Sequence, residues 1–459
     1  MLSDVSRRAF LQRASALSIA GAATPFVLNL AAIGEAAAAT ATDYKAIVCV
    51  FLYGGNDYAN TLIPADTANY NLYNAQRPAL AYSQASLAGT TLAPTTPLAG
   101  GRTYALAPEL APLMTIFNAG KMAVILNVGT LVQPTTKTQY TNKSVLLPPK
   151  LLSHNDQQSY WQSSSPEGAS SGWGGRIGDL LQSGNSNPSL TCMNPAGNAV
   201  FLSGTSAVQY SLTTNGPIAL NARTSLQGST AAGTALRSLI STPVNHMLET
   251  ELTKVSGRAL NLYDLVTNSL ALAPTTNTVF PAAADPSSTL GLQLKEVAKL
   301  ISVSSQLGAK RQVFFVASGS FDTHDGILTV HPRLMTNLAN ALRAFYDTLV
   351  ELGVANQVTT FTASDFGRAL TANNDGSDHG WGSMHFVLGG AVKGKAYYGT
   401  PPVVANNGPD DIGQGRLIPT TSVDQYAATM ASWFGVSDSD MPTVLPNIGN
   451  YTTKNLGFV

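Results

Sequence analysis

The 459-residue sequence predicts an α/β fold built on a mostly parallel central sheet. Three observations predict it. Short apolar runs at Lys45–Leu52, Met122–Val128, Gln312–Ala317 and Val358–Phe361 are rich in β-branched and aromatic residues. They lack a polar face, as strands buried on both sides do. Helical stretches stand between them, the arrangement of crossover units. Three of the runs end in loops carrying an aspartate, namely Asp57, Asp322 and Asp365. In an open parallel sheet the C-terminal strand ends share one edge, and ligands bind there.

The charge balance narrows the function classes. Lys+Arg and Asp+Glu both number 26, so no net positive charge is available to hold a phosphate backbone, and nucleic acid is not expected as a partner. Charged residues are 11% of the chain, against roughly 25% in an average soluble protein. A polar but weakly charged surface suits life outside the cytoplasm. The N-terminus agrees: Ser6-Arg7-Arg8-Ala9-Phe10-Leu11-Gln12 reads as a twin-arginine signal, followed by a soft apolar stretch from Ala14 to Ile33. Pro25, Asn29 and many alanines make that stretch a poor permanent membrane span. Cleavage is expected near Ala39–Ala41, after passage through the twin-arginine translocase. Residues 1–41 are therefore set apart as signal peptide, and 42–459 read as a single domain, periplasmic or secreted. Two cysteines, Cys49 and Cys192, do not make a disulfide scaffold, and a bridge between them stays open.

In chain order, the first strand ends in Tyr53-Gly-Gly-Asn-Asp-Tyr-Ala-Asn60, where two glycines free the backbone for close approach and Asp57 offers oxygen. Residues 64–105 are loop-rich, and Leu106–Ala119 shows helical spacing before the Met122–Val128 strand. Ser153 is placed to cap a helix starting near His154, and the same geometry exposes its hydroxyl at a positive helix end. Residues 185–228, rich in Ser, Thr, Asn and Gly, read as an elaboration on the sheet's edge, with β-like pieces at 199–202 and 208–212. Residues 230–271 look helical with a break at Pro243, and His246 is expected to pack there without chemistry. A helix over Leu290–Leu307 leads to the Gln312–Ala317 strand, which ends in Ser318-Gly-Ser-Phe-Asp-Thr-His324. His331 reads as a cap or a solvent-facing residue before a helix over 334–352. After the strand at 357–362 comes Phe361 to Gly390, whose loop carries Asp365, Arg368, Asp378, His379 and His385. Carboxylates and imidazoles gathered at strand ends are what a hard or borderline divalent metal needs. The topology therefore brings Asp57, Asp322, His324, Asp365, Asp378, His379 and His385 toward one edge. A short strand pair at 386–399 and a helix over Val423–Phe434 close the chain.

The motifs YGGNDYAN, SHNDQQSYW, GWGGR, FDTHDG, SDFGR and DHGWGSMHFVLGGAVKG, in that order, resemble the bacterial domain-of-unknown-function family 1501 over nearly the whole mature chain. That family is grouped by similarity with the alkaline phosphatase and sulfatase superfamily. The resemblance implies an alkaline-phosphatase-like α/β/α sandwich with a metal-dependent hydrolase edge. It implies Asp57, with neighbouring Asn56 as its rival, as a metal-bridging residue, Asp322 with His324 as one ligand pair, and His379 as the last metal histidine. Phe366 stands where the superfamily has an imidazole after Asp365, so a ligand from Asp378 or His385, a single metal, or no metal would account for the difference. Ser153 matches the nucleophile position, with His154 assisting and Arg368 or Arg176 offsetting charge on the transferred group. A sulfatase's Cys/Ser-x-Pro-x-Arg context is absent, since Cys192-Met-Asn-Pro sets proline one place late and lacks arginine. The expectation is an exported hydrolase, assisted by zinc, manganese or calcium, of a phosphate-type or related ester on a small molecule or polymer. The alternative is a non-catalytic envelope binding protein that keeps the fold.

Overall fold

The computed structural model describes residues 42–220, 224–242, 246–284 and 288–459. The expected signal peptide at 1–41, and the helix break at Pro243, lie outside the described residues. The strand Lys45–Leu52 occupies the middle of a ten-stranded sheet. It pairs in parallel with Arg311–Ser318 on one side and with Val358–Ser364 on the other. Past Arg311–Ser318, Cys192–Asn194 and Gln209–Thr213 continue in parallel, and Gly216–Pro217 ends that edge antiparallel. Past Val358–Ser364 comes Ser383–Leu388, antiparallel to both its neighbours, then Met122–Gly129 with Ala396–Tyr398 and Thr421–Ser422 in parallel beside it. The three strands whose loops carry aspartates are thus adjacent and parallel at the sheet's centre.

The two-residue period of a strand divides the core into two. Ala46, Val48, Val50 and Leu52 face one cluster, while Ile47, Cys49 and Phe51 face the other. The first cluster is covered by helices Leu290–Ser302 and Ile327–Glu351, the second by Trp173–Leu181 and Val423–Phe434. The result is a mixed α/β fold, helices on both faces of a mostly parallel sheet. Ser422 opens the Val423–Phe434 helix with a capping box, accepting from the Gln425 amide while Gln425 accepts from the Ser422 amide. Phe361 sits at the heart of the second cluster, its ring 5.5 Å from Trp173 and 5.6 Å from Tyr426. Truncating it to alanine would cost about 3–5 kcal/mol, because rings on both sides prevent collapse into the void.

Several sequence expectations need correction. The Leu106–Ala119 stretch is a 3-10 helix over Pro108–Leu113 followed by a short α-helix, Met114–Asn118. Pro112 removes an amide donor inside the stretch, and the chain takes the tighter 3-10 winding there. Residues 199–202 likewise form a 3-10 turn over Val200–Leu202, whereas Gln209–Thr213 is a strand as expected. The helix expected to follow Pro332 begins earlier, at Ile327, with the proline inside it. His331 is therefore buried, with Nε2 3.2 Å from Asn56 Oδ1, and neither caps nor faces water. His246 is exposed ahead of the Met247–Leu270 helix, not packed. Cys49 and Cys192 are both buried free thiols. Among the described residues, no helix is long and apolar enough to cross a membrane.

Candidate metal centre

Each side chain at the sheet's C-terminal edge is placed by a local device. Asp365 directly follows the Val358–Ser364 strand, and its side chain is fully buried. Asp322 follows the Arg311–Ser318 strand, with the Phe321 amide donating to the Tyr53 carbonyl to hold the loop against the neighbouring strand end. Gly54 makes that approach possible: at φ +116° it carries no side chain, and a Cβ would stand 2.3 Å from the Asp322 amide nitrogen. Arg368–Ala372 and Ser377–His379 pair as a hairpin that sets Arg368 opposite His379. Gly376 lets this hairpin lie against the Asp322–His324 loop, because any Cβ there would collide with the His324 carbonyl. His154 opens the helix His154–Ser163 and reaches the same place from the opposite face.

Together these devices converge on Asp322. Its Oδ1 lies 2.7 Å from Arg368 Nη1, 3.1 Å from His324 Nε2 and 3.2 Å from His379 Nε2. Its Oδ2 lies 3.4 Å from His154 Nε2. His154, Asp322 and His379 each offer one ligand atom within 4.8 Å of the others. Behind each ring is an acceptor. His154 Nδ1 is 2.7 Å from Asp365 Oδ2, His379 Nδ1 is 2.7 Å from the Leu152 carbonyl, and His324 Nδ1 is 3.5 Å from Asp378 Oδ1. Carboxylate and carbonyl oxygens only accept, so the two short contacts fix Nδ1 as the protonated nitrogen and turn Nε2 toward Asp322. Leu152 holds its carbonyl in place at φ +73°, an uncommon conformation for a non-glycine residue.

The electrostatics follow from these contacts. Its hydrogen bond to Asp365 holds the His154 imidazolium above the ordinary histidine range, against the opposing effect of burial. Burial pushes His379 below that range. Burial also works to raise the Asp322 carboxyl, but Arg368 overrides it and keeps Asp322 below the usual carboxylate range. His154 Nε2 is buried with no hydrogen-bond partner, as is Asp365 Oδ1. His154 Nε2, His379 Nε2 and the Asp322 carboxylate face one point, and the Arg368 guanidinium meets the same carboxylate at Oδ1. The donor set of two or three imidazoles and one carboxylate, each imidazole held from behind, fits a borderline divalent metal.

Other expected site residues lie apart or in changed roles. Asp57 is buried in a bidentate ion pair with Arg77, at 2.9 Å and 2.8 Å. His385 lies on the interior strand Ser383–Leu388, where the strand period turns it away from the edge, 5.0 Å from the Trp161 ring. The loop expected to carry both His379 and His385 ends at Ser383, so the two histidines part there. Asp378 stands behind His324 and accepts from Asn373 Nδ2 at 2.7 Å. Asp365 braces His154 together with Gln158 Nε2, 2.8 Å away, and the Gly54 amide, 3.2 Å away. Phe366 is an aromatic platform, its ring 4.9 Å from His154 and 4.6 Å from His379. Gln158 was missed, although its i,i+4 spacing from His154 was available once the helix start was placed. Leu152 left no signal, because its contribution is a backbone carbonyl. Ser153 is half-buried, and its hydroxyl donates to Asp156 Oδ2 at 3.0 Å. Arg368 is fully buried and also donates to the Ser377 and Gly54 carbonyls. Arg176 is committed to the carbonyls of Val444, Ser171 and Ser163.

Residues 44–445 match the family described as "Protein of unknown function (DUF1501)". The chain belongs to that family. No curated protein matches this DUF1501 member. Among solved structures, it is similar to the lipoteichoic acid synthase LtaP from Listeria monocytogenes at 9% identity and a TM-score of 0.34, over 86% of this chain and 73% of that one. It is similar to Ps i-CgsB, solved in complex with k-i-k-neocarrahexaose, at 8% identity and a TM-score of 0.36, over 89% and 77%. It is similar to the PsFucS1 sulfatase from Pseudoalteromonas sp. at 8% identity and a TM-score of 0.34, over 90% and 72%.

Proposed function

We propose that this DUF1501 protein is an exported, metal-assisted hydrolase of a phosphate-type or related ester, folded as one domain over residues 42–459. The observation that carries the reading is the convergence of His154 Nε2, His379 Nε2 and the Asp322 carboxylate, with acceptors behind both rings. His154, Asp322 and His379 would hold the ion, with His324 the nearest further donor. A divalent metal so held supplies Lewis-acid polarisation of an ester oxygen and a lowered pKa for a bound hydroxyl or water. In this reading Ser153 Oγ would attack the ester while Asp156, already the acceptor of its hydroxyl, takes the proton; the bond to the alcohol breaks, the alcohol leaves with a proton, and water then cleaves the Ser153 ester to free the enzyme. Asp365 and Leu152 orient the ligand rings, and Phe366 fixes their tilt. Arg368 orients the Asp322 carboxylate, so its role is positioning and not contact with the transferred group.

A second reading, a non-catalytic envelope protein that keeps the fold, has one observation in its favour. The Arg368 guanidinium already neutralises Asp322 at 2.7 Å, and Arg176 is likewise committed, so neither offers a free cation to an anionic ester. Elemental analysis of the purified protein beside an Asp322→Ala/His379→Ala variant separates the two. Stoichiometric metal that the variant loses, with turnover of a phosphate or sulfate ester lost in Ser153→Ala, is the expected result. Natively folded protein without metal, taking up none from zinc, manganese or calcium, overturns the hydrolase reading.

A further inference from the structure

The helix pair Thr230–Ser241 and Met247–Leu270 carries a hydrophobic seam that leaves the core half-way along. In the longer helix, residues 248, 252, 255, 259, 262, 266 and 269 repeat at alternating steps of four and three, the heptad spacing of a coiled-coil seam. The C-terminal half of this seam is core, with Leu262, Val266 and Ser269 all buried. Its N-terminal half is in water: Leu248 is 69% exposed, Leu252 63% and Val255 51%. Met247 of the same helix and Leu239 of the neighbouring one are also exposed. The pair is held together by the Arg237–Asp264 salt bridge at 2.8 Å, so the seam is presented on a braced support.

We propose that this exposed half-seam is the interface for a second copy of the same chain, packed antiparallel across a two-fold axis. The heptad register makes the seam complementary to itself. Reversing the helix about a point between Leu252 and Val255 sets Leu252 against Val255 and Leu248 against Ala259, so Leu248, Leu252 and Val255 each meet an apolar residue. The same reversal brings Glu251 of one copy beside Arg258 of the other, twice by symmetry. Both side chains are exposed, and among the described residues Glu251 makes a long surface contact of 3.7 Å to Lys254 within its own helix. The assembly is an antiparallel four-helix arrangement.

Sedimentation or light scattering of the full protein at micromolar concentration tests this. The wild type is expected at twice the mass of one chain, and Leu248→Glu/Leu252→Glu at the mass of one, with unchanged far-UV circular dichroism. Arg258→Glu places like charges together at two symmetric points and is expected to weaken the dimer about tenfold, with Glu251→Arg/Arg258→Glu restoring it. A monomeric wild type overturns the proposal, as does a dimer that survives both single-direction variants. A monomer that sediments with anionic lipid vesicles overturns it in favour of a membrane-facing seam.

Discussion

His154 Nδ1 lies 2.7 Å from Asp365 Oδ2, so a residue at the start of a helix is aimed by a carboxylate at the end of the sheet's central strand group. Asp365 itself is immobilised by Gln158 and the Gly54 amide. The pair turns His154 Nε2 onto Asp322. Removing the brace while leaving the ring should loosen metal without abolishing it: Asp365→Asn is expected to lower metal affinity about 10–100-fold. His154→Ala should cost more, and Gln158→Ala less. Competition against a chelator of known affinity measures all three, and equal affinity in Asp365→Asn and wild type would contradict the arrangement.

The Asp57–Arg77 pair predicts a stability defect separated from metal content. Both side chains are fully buried, and the Arg77 guanidinium overrides burial to hold the Asp57 carboxyl below its usual range. Arg77→Met leaves a buried charge unpaired and should cost about 3–5 kcal/mol in urea unfolding. Metal bound per folded molecule should stay at the wild-type value.

His385 predicts a pH effect and, again, no metal effect. Burial pushes it down to about 3, against an ordinary value of 6.5. As pH falls below about 6.5 the unfolded chain takes up a proton that the folded one refuses, so stability is lost on acidification through that window. His385→Phe should recover about 1.4 kcal/mol per pH unit relative to wild type between about 6.5 and 4. Thermal melts across that range measure it, and elemental analysis should find the variant's metal unchanged.

Asp424 has the opposite sign. Burial raises it to about 6, although the Asn447 amide and the Ser164 hydroxyl both donate to it. Below its unfolded value of 3.8 the protonated acid is no burden, and stability is lost as pH rises through about 6. Asp424→Asn keeps a carbonyl for the Asn447 amide and carries no charge. It should gain on wild type as pH rises from about 4 to about 6, by on the order of 2 kcal/mol. A parallel pH dependence in the two proteins would show that Asp424 stays ionised.

The central strands and the edge they share were legible in the sequence. The runs at 45–52, 312–317 and 358–361 carry apolar and β-branched residues on both faces, as a doubly covered strand does, and each is followed by its aspartate at a C-terminal end. Which aspartates share a centre was decided by tertiary structure alone. Asp57 and Asp322 follow strands of the same kind, but only Asp57 meets Arg77, brought from a helix by packing that no local pattern encodes. His385 looked like loop because polar residues and glycines precede it, yet pairing with two strands made it interior. His154 became a partner of Asp322 because a helix N-terminus from one face meets strand ends at the sheet's edge, which fixes a distance between residues 168 positions apart. Periodicity reports the environment along one segment; the meeting of segments depends on three-dimensional packing, and that is where the candidate centre is made.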